Sequence, residues 1–299
     1  MAVWATNLKQ TPQVAFRLDT RLNLWHDALT MYEHVVITGA SSGFGMAFAR
    51  RMVGECAHMV LVARRKEILT ELADELRAAN AGLNVTVLAC DLASQPARSR
   101  LVDAIESLSA GKLLLINNAG LGDYGEYATS SPERNNQMLQ VNVLAVAELT
   151  RAVMPRLVAD GGGIINIASL AADLFIPDFA IYAASKAFVA SFSEAVRLEL
   201  RKAGVPVVAV CPGPVHTGFG QVARRDGYTN GYSSFKKWVY TPVPTVVNGA
   251  LKALAENNPR YYPSRRVRLI GWLLRNTPLA LLRMVMGCRP RKVERMQGK

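Results

Sequence analysis

Two side chains with complementary proton chemistry, Tyr182 and Lys186, stand four residues apart. In a helix this spacing places both on the same face. A tyrosine hydroxyl can protonate an alkoxide, but its ordinary pKa of about 10 is too high for ready proton exchange near neutrality. A neighbouring ammonium lowers that pKa, which makes the pair suited to general acid–base chemistry. Taken alone, however, such a pair is more often the solvated face of an amphipathic helix.

Ser169 strengthens the catalytic interpretation of this pair. It ends an apolar segment thirteen residues before Tyr182. A hydroxyl in that place can hydrogen-bond a carbonyl oxygen and polarise it. The three side chains together suit proton transfer to or from the oxygen of a carbonyl or alcohol, with Tyr182 as the proton donor.

A glycine-rich turn precedes these residues in the chain and reads TGASSGFG over residues 38–45. It joins an apolar strand to a helix, which is the context that a dinucleotide-binding turn requires. Its glycines let the backbone approach a pyrophosphate, and the helix N-terminus offers free N–H groups to the anion. The turn therefore predicts a dinucleotide site formed by Gly39, Ser41, Ser42, Gly43, Phe44 and Gly45.

Short apolar segments alternate with amphipathic ones from His34 onward. Strands are predicted at 34–38, 58–63, 84–91, 112–120, 162–169, 205–213 and 260–263. Helices are predicted from the first turn to about 54, and then over 67–80, up to about 108, 132–159 and 180–203. This alternation indicates an α/β fold, a doubly wound parallel sheet of about seven strands with helices on both faces.

The spacing TGxxxGxG differs from the common GxGxxG and resembles the short-chain dehydrogenase/reductase family. Further segments in the family's order extend the resemblance over roughly residues 34–263. They are Asp91 after the third strand, NNAG at 117–120, Asn142, Ser169, Tyr182 with Lys186, and PGPVHT at 212–217.

The resemblance implies roles for individual residues. The implied catalytic tetrad is Asn142, Ser169, Tyr182 and Lys186, with Lys186 also bonding the nicotinamide ribose and Asn142 near a proton-relaying water. Asp91 would contact the adenine, and residues 212–217 would pack on the nicotinamide. The remaining implied cofactor-binding residues are Leu92, Asn118, Ala119, Gly120, Pro212, Gly213, Val215 and Thr217. Family members commonly form dimers or tetramers, so a homo-oligomer is a further implication.

The end of the second strand distinguishes NADP from NAD. An acid there would accept hydrogen bonds from the ribose 2′-hydroxyl and repel a 2′-phosphate, but this chain has Ala63 followed by Arg64. Because a guanidinium suits a phosphate, we predict NADP(H). Ser42 weighs slightly against this prediction, because some NADP-preferring relatives carry a basic residue at that position. We interpret Arg65 as a solvated residue at a helix start, in narrow preference to a second phosphate clamp.

Substrate contacts are expected from residues 122–127, 170–179 and about 217–244. The second of these segments is apolar, with Leu174, Phe175, Ile176 and Phe179. That composition favours a hydrophobic, lipid-like substrate, although loops of this kind also pack on their own protein. We therefore predict an NADP(H)-dependent carbonyl reductase or alcohol dehydrogenase. The alternative is an NADP(H)-binding regulatory or redox-sensing protein without turnover.

The remaining polar residues suggest no metal site. The four cysteines have no metal-ligand spacing, and three of them lie in or near apolar segments. The four histidines are scattered. We expect reduced core cysteines in a cytoplasmic protein, because the N-terminus also lacks a signal-peptide pattern and the chain lacks an apolar run of membrane-spanning length.

The ends of the chain differ from its body. We expect an extension over 1–33 with a short helix at about 19–32, a catalytic domain over 34–263, and a basic amphipathic helical extension over 264–299. The net charge is +12, and residues 260–299 hold eleven basic side chains and one acid. This tail leaves four alternatives open, namely peripheral contact with the inner face of a membrane, a lid over the cleft, contact with a second subunit, or a solvated basic segment without a partner. Nucleic acid is not expected as a partner, since no basic platform interleaved with aromatic residues appears.

Overall fold

Seven parallel strands form one sheet in the computed structural model, which describes residues 32–215, 217–225 and 240–287. The strand order is β3-β2-β1-β4-β5-β6-β7. The strands are β1 Tyr32–Thr38, β2 Cys56–Ala63, β3 Asn84–Ala89, β4 Leu113–Asn117, β5 Gly162–Ile167, β6 Val207–Val210 and β7 Arg260–Tyr261. The predicted doubly wound parallel sheet is confirmed.

Helices connect the strands and cover both faces of the sheet. They are α1 Gly43–Arg51, α2 Lys66–Ala79, α3 Gln95–Glu106, α4 Pro132–Leu139, α5 Ala145–Asp160, α6 Ala180–Glu199, α7 Phe219–Val222, α8 Val243–Ala255, α9 Arg265–Asn276 and α10 Leu279–Gly287. Short 3₁₀ turns occur at Tyr127–Thr129, Leu170–Asp173 and Leu200–Ala203. The two helices expected in the C-terminal extension are therefore α9 and α10.

Each central strand supplies apolar side chains to two cores because successive residues point to opposite faces. In β1, Val35 and Ile37 pack with α1, α2 and α8, whereas Val36 packs with α3 and α5 on the other face. All three side chains are fully buried. Burial on both faces explains why these strands read as continuous apolar runs in the sequence.

The strand order reverses at β1, which pairs with β2 on one side and with β4 on the other. The connections that leave the carboxyl ends of β1 and β4 therefore diverge to opposite faces, and a crevice opens between them. This crevice lies between the glycine-rich turn after β1 and the Asn118–Gly120 segment after β4. The topology alone places these two predicted cofactor elements beside each other.

The helix predicted over 132–159 is interrupted. Residues Gln140–Leu144 form a π-helical turn between α4 and α5, so the expectation of one uninterrupted helix is wrong there. Asn142 lies in this wider turn, and its side-chain amide exchanges hydrogen bonds with the backbone of Leu121. Turns of this kind inside helices often occur at functional sites.

The start of the fold also differs from expectation. β1 begins at Tyr32, so Tyr32 is a strand residue and not the end of the helix expected at 19–32. The rest of that helix lies outside the described residues. Tyr32 joins the strand because its N–H donates to Glu55 O and its backbone pairs with Cys56 of β2.

Candidate active site

The glycine-rich turn after β1 is shaped for close approach of a ligand. Gly39 has a φ of +66°, in the left-handed region that favours glycine. At Gly45, an added Cβ would lie 2.3 Å from the carbonyl oxygen of Gly39. Helix α1 begins at Gly43, and the Ser42 side chain caps none of its N–H groups. These N–H groups and the helix dipole fit an anion such as a dinucleotide pyrophosphate.

Asn118 fastens this turn to the end of β4. Its Nδ2 donates to Thr38 O at 2.9 Å and to Gly39 O at 3.1 Å. In return, Thr38 Oγ1 accepts from the backbone N–H groups of Asn118 and Ala119, both at 3.0 Å. The two sides of the crevice are therefore held at a fixed separation before any ligand enters.

Replacement of Gly45 by alanine tests the requirement for this close approach. Because the new methyl group would meet backbone atoms of Gly39, the turn must shift, and we expect a loss of about 1–3 kcal/mol in stability. Dinucleotide affinity, measured by fluorescence titration, should fall by at least about tenfold. Gly54→Ala is the matched control, since an added Cβ at Gly54 meets nothing within 4 Å. Equal affinity in the two variants would contradict this account of the turn.

Two arginines follow the end of β2. Arg64 lines the same cavity as the glycine-rich turn. Arg65 is exposed at the start of α2, as expected, and its Nη2 also donates to Ser41 O and to Ser41 Oγ, both at 3.1 Å. This contact is possible because β1 and β2 are neighbours, and the long side chain spans from one strand end to the other. The two guanidinium groups give this end of the cavity a positive charge.

The loop after β3 completes the nucleotide end. Asp91 is exposed in the cavity wall, and its Oδ1 accepts from the Ala93 N–H at 3.0 Å. Leu92 is fixed from behind by Arg98, which is 1 % exposed and donates to Leu92 O at 2.8 Å. Arg98 is itself held by two hydrogen bonds to the Glu148 carboxylate. This pairing connects α3 with α5 and fixes the Leu92 carbonyl.

Tyr182 and Lys186 both lie on α6 and both line the cavity. Lys186 Nζ lies 5.8 Å from the centre of the Tyr182 ring and donates to Ile167 O at 2.7 Å. Burial lowers the pKa of Lys186 to about 8. A lysine with such a pKa can hold or release a proton near neutrality, close to the tyrosine.

Asn142 lies behind the cavity wall and hydrogen-bonds to residues of two elements that form it. Its Oδ1 accepts from the Leu121 N–H at 2.8 Å, while its Nδ2 donates to Leu121 O at 2.9 Å and to Ser185 Oγ at 3.0 Å. The amide therefore ties the segment after β4 to helix α6, one residue before Lys186. Asn142 thus holds neighbouring parts of the wall together and does not itself line the cavity.

Ser169 stands at the end of β5 and begins the 3₁₀ turn Leu170–Asp173. Its Oγ accepts from the Ala171 N–H at 3.1 Å, and the side chain lines the cavity. The Leu170 N–H donates to Pro212 O at 2.9 Å, which brings the segment after β6 against the same wall. The hydroxyl hydrogen of Ser169 remains able to donate to an oxygen in the cavity.

Aromatic rings form the other end of the cavity. Phe179 lies between Tyr124 and Tyr182, with ring centres 4.0 and 4.1 Å away, and both pairs are stacked. Phe219 is tilted against Tyr182 at 5.4 Å. Leu174 completes this apolar wall. The Tyr182 hydroxyl therefore belongs to a ring set in an apolar surface.

The segment 217–225 closes this end of the cavity and is attached to the loop 122–127. The Tyr124 N–H donates to Ala223 O at 2.8 Å. Arg225 pairs with the buried Asp123 carboxylate at 2.6 Å. An added Cβ at Gly122 would lie 2.6 Å from the Phe219 ring. These contacts hold Phe219 in place over the substrate end.

The structure brings nearly all of the residues predicted from sequence to one cavity of about 650 Å³. The predicted residues that line it are Gly39, Ser41, Ser42, Gly43, Phe44, Arg64, Asp91, Leu92, Asn118, Ala119, Gly120, Ser169, Tyr182, Lys186, Pro212, Gly213, Val215 and Thr217. Gly45 and Asn142 lie behind this wall. The volume is within the range of ligand pockets, and the lining is positive at one end and aromatic at the other.

Sequence reasoning did not single out several residues of this wall. Gln137 and Val141 come from α4 and the π turn, which carry no motif of their own. Tyr124 and Phe219 fall within the expected substrate segments but were not distinguished from their neighbours. Conversely, Phe175 is exposed and Ile176 is buried in the cluster beside the cavity, so only part of the apolar loop lines it.

The cysteines and acidic residues offer no metal centre within the described part of the chain. Among residues 32–215, 217–225 and 240–287, no three His, Cys, Asp or Glu side chains are grouped as ligands. Cys56, Cys90 and Cys211 are buried free thiols, and burial raises the pKa of Cys211 to about 12. These thiols are packed as core residues.

Comparison with known proteins agrees with this geometry. The family model described as short chain dehydrogenase matches residues 33–227. The chain is 35 % identical to sulfoacetaldehyde reductase 2 of Chromohalobacter salexigens over 63 % of its length and 75 % of that protein. It is 29 % identical to the human very-long-chain 3-oxoacyl-CoA reductase, over 71 % and 70 % of the two chains.

A solved structure shares the fold closely. The short-chain dehydrogenase from Sphingobium yanoikuyae in complex with NADPH superposes with a TM-score of 0.70 at 29 % identity, covering 89 % of this chain and 98 % of that one. The turn after β1, the Tyr182–Lys186 pair and these matches have one explanation. The chain belongs to the short-chain dehydrogenase/reductase family, and it is an oxidoreductase of the alcohol and carbonyl class that uses a nicotinamide cofactor.

Proposed function

We propose that this protein is an NADP(H)-dependent carbonyl reductase or alcohol dehydrogenase for bulky apolar substrates. The observation that carries the proposal is the composition of one cavity. Its nucleotide end holds Arg64 and Arg65, its centre holds Tyr182 and Lys186, and its far end is lined by aromatic rings. Each end suits one part of the proposed reaction.

The chemistry at the centre follows from the chain's own groups. When bound, the nicotinamide supplies or accepts the hydride. Ser169 Oγ is available to donate a hydrogen bond to the substrate oxygen, and Tyr182 gives that oxygen its proton in the reductive direction. Lys186 stands beside Tyr182 with a lowered pKa and favours the tyrosinate that remains. Asn142 holds the wall from which Lys186 acts.

The preference for NADP(H) is supported by the residues at the end of β2. Ala63 occupies the position where an acid would contact a ribose hydroxyl. Arg64 lines the cavity, and the Arg65 guanidinium lies against Ser41 in the glycine-rich turn. Two guanidinium groups at this end favour a 2′-phosphate through charge-assisted hydrogen bonds.

The preference for an apolar substrate is supported by the aromatic end of the cavity. Tyr124, Phe179 and Phe219 present ring surface around Tyr182, and Leu174 and Leu121 extend it. A small charged substrate would lose its hydration against this surface and would gain no polar contact in return. A bulky ketone or an alcohol with an apolar body would instead bury its carbon chain there.

A panel of ketones and aldehydes of increasing apolar size tests this function. With NADPH as reductant, kcat/KM should rise along the series as each added methylene is buried against the rings, by roughly threefold to fourfold per methylene. Steady-state oxidation of NADPH, followed by absorbance, provides the measurement. Tight NADPH binding without turnover across the whole panel would contradict the proposal and favour the binding-only alternative.

Arg64→Ala tests the choice of cofactor. Loss of a charge-assisted contact to the 2′-phosphate should raise the KM for NADPH by about 10- to 100-fold, which corresponds to about 1.5–3 kcal/mol. The KM for NADH should change by less than about twofold, because NADH has no such phosphate. Arg151→Ala removes another exposed arginine, on α5 and outside the cavity lining, and is the control. An equal loss for both cofactors would contradict the phosphate contact.

A further inference from the structure

The two C-terminal helices carry an unusual amount of exposed apolar surface. Among the described residues, seven of the fifteen large apolar side chains that are exposed belong to α9 and α10. Trp272 is 59 % exposed and Met284 is 60 % exposed. The seven residues, here called the C-terminal apolar surface, are Leu269, Trp272, Leu273, Leu279, Leu281, Met284 and Val285.

Helix α9 also has an inner apolar face, which packs against the catalytic domain. Val267 is fully buried against Leu170, with Tyr262, Ile270 and Leu274 packed around them. Gly271 lies so close to the body that an added Cβ would be 2.4 Å from the Tyr262 ring. The helix is therefore fixed to the catalytic domain through this inner face.

The outer face of α9 points the other way. Leu269, Trp272 and Leu273 follow the helical spacing of i, i+3 and i+4, offset from the inner residues by about half a turn. A lid over the cleft would use the face that packs on the protein. The outer face is therefore available to a partner outside the catalytic domain.

The charge around this surface indicates which kind of partner it binds. Residues 265–287 contain five arginines and no aspartate or glutamate. Arg265, Arg266, Arg268 and Arg275 lie on α9 beside the apolar residues, and all four are exposed. Such a combination of apolar, tryptophan and basic residues is typical of helices that lie in the interface of an anionic bilayer.

We infer that the C-terminal apolar surface docks this protein on the surface of an anionic lipid bilayer. Leu269 and Leu273 would enter the acyl boundary, Trp272 would lie at the level of the headgroups, and the arginines would meet lipid phosphates. No helix within the described ranges is long and apolar enough to cross a bilayer. The helices therefore lie along the interface.

A second copy of the chain fits this surface less well. In a two-fold symmetric dimer the same face meets itself, so the arginines of α9 would face the arginines of the partner without any acid to pair with in residues 265–287. The cores of protein interfaces are also depleted in charged residues. An anionic bilayer supplies apolar contact and opposite charge at the same time.

Vesicle binding by the full-length protein tests the inference. The probes are vesicles of phosphatidylcholine alone and of equal parts phosphatidylcholine and phosphatidylglycerol, and bound protein is measured by sedimentation. We expect at least tenfold stronger binding to the anionic vesicles, weakened by salt. A triple variant, Leu269→Ser, Trp272→Ser and Leu273→Ser, should bind at least tenfold more weakly than the native chain. In the native chain, vesicles should shift tryptophan emission to the blue, and Trp272→Phe should lose that shift.

Matched variants keep the test specific. Val158→Ser with Leu198→Ser removes exposed apolar residues from α5 and α6 and should leave binding unchanged. The thermal transition of each variant shows that it is folded. Absence of vesicle binding by the native chain would overturn the inference, as would equal binding by the triple variant. A concentration-dependent dimer that the triple variant abolishes, without vesicle binding by the native chain, would assign the surface to a second copy.

Discussion

Tyr182→Phe should reduce kcat by about 10²- to 10⁴-fold, the usual contribution of a positioned general acid or base. The variant removes one hydroxyl and keeps the ring that stacks on Phe179 with centres 4.1 Å apart. Packing of the aromatic wall should therefore be preserved, and NADPH affinity should change by less than about twofold, since the phosphate contacts lie at the other end of the cavity. Steady-state kinetics and a fluorescence titration with NADPH provide the two readouts.

A control for this substitution lies at the opposite end of the sheet. Tyr32 begins β1, far along that strand from the glycine-rich turn. Tyr32→Phe should leave kcat unchanged. Undiminished turnover in Tyr182→Phe would remove Tyr182 from the chemistry, and loss of NADPH binding would show that its role is structural.

Lys186→Met should also reduce kcat by about 10²- to 10⁴-fold, because Tyr182 loses the neighbouring charge that favours its ionised form. The second effect of this substitution is on stability. Lys186 is buried, and its pKa of about 8 lies below the 10.5 of a lysine in water. Methionine has a similar length and carries no charge into the same place.

The lowered pKa of Lys186 makes the stability of the native protein depend on pH. Between about pH 8 and pH 10.5 the folded state has released the Lys186 proton while the unfolded chain still holds it. Stability of the native protein therefore rises with pH across this window, and below it the buried ammonium opposes folding. The variant lacks this contribution. The difference in Tm, variant minus native, should therefore decrease as the pH is raised from 7 to 10 in the absence of cofactor.

Differential scanning calorimetry of both proteins at several pH values measures this difference, in which titrating groups that do not interact with Lys186 cancel. Lys202→Met changes an exposed lysine in the 3₁₀ turn Leu200–Ala203 after α6 and is the control, with unchanged kcat and a pH-independent difference in Tm. A constant difference for Lys186→Met would contradict the lowered pKa of the buried lysine.

Much of the fold could be predicted because its signals are local. The apolar runs that form β1, β4 and β5 are bounded by glycines and polar residues, and alternation with helices implies parallel pairing. Helix α8 has an apolar stripe of the same quality, with Val246, Val247, Ala250 and Leu254 buried, yet it was not among the predicted helices and starts only where the expected substrate segment 217–244 ends. The π turn was not predicted, and the hydrogen bonds of Asn142 in that turn go to Leu121, which is 21 positions away in the sequence.

Only some of the site residues could likewise be predicted from the sequence. Glycines at 39 and 45 and the Tyr182–Lys186 spacing carry their own geometric reasons, so sequence alone indicated them. The role of Arg65 depends on the distance between the ends of β1 and β2. The ring stack of Tyr124, Phe179 and Tyr182 joins three segments that only the folded chain brings together. Contacts across segments of this kind leave no periodic signal in the sequence.

Deuterium-labelled NADPH shows directly whether the enzyme transfers a hydride to a ketone. The native protein is incubated with a bulky ketone and NADPH that carries deuterium at one of the two positions on the nicotinamide C4, and the alcohol product is analysed by mass spectrometry. We expect one deuterium on the carbinol carbon with one of the two labelled cofactors, and at least about 100-fold less product with Tyr182→Phe. An unlabelled alcohol with both cofactors, or undiminished product with Tyr182→Phe, would contradict this mechanism.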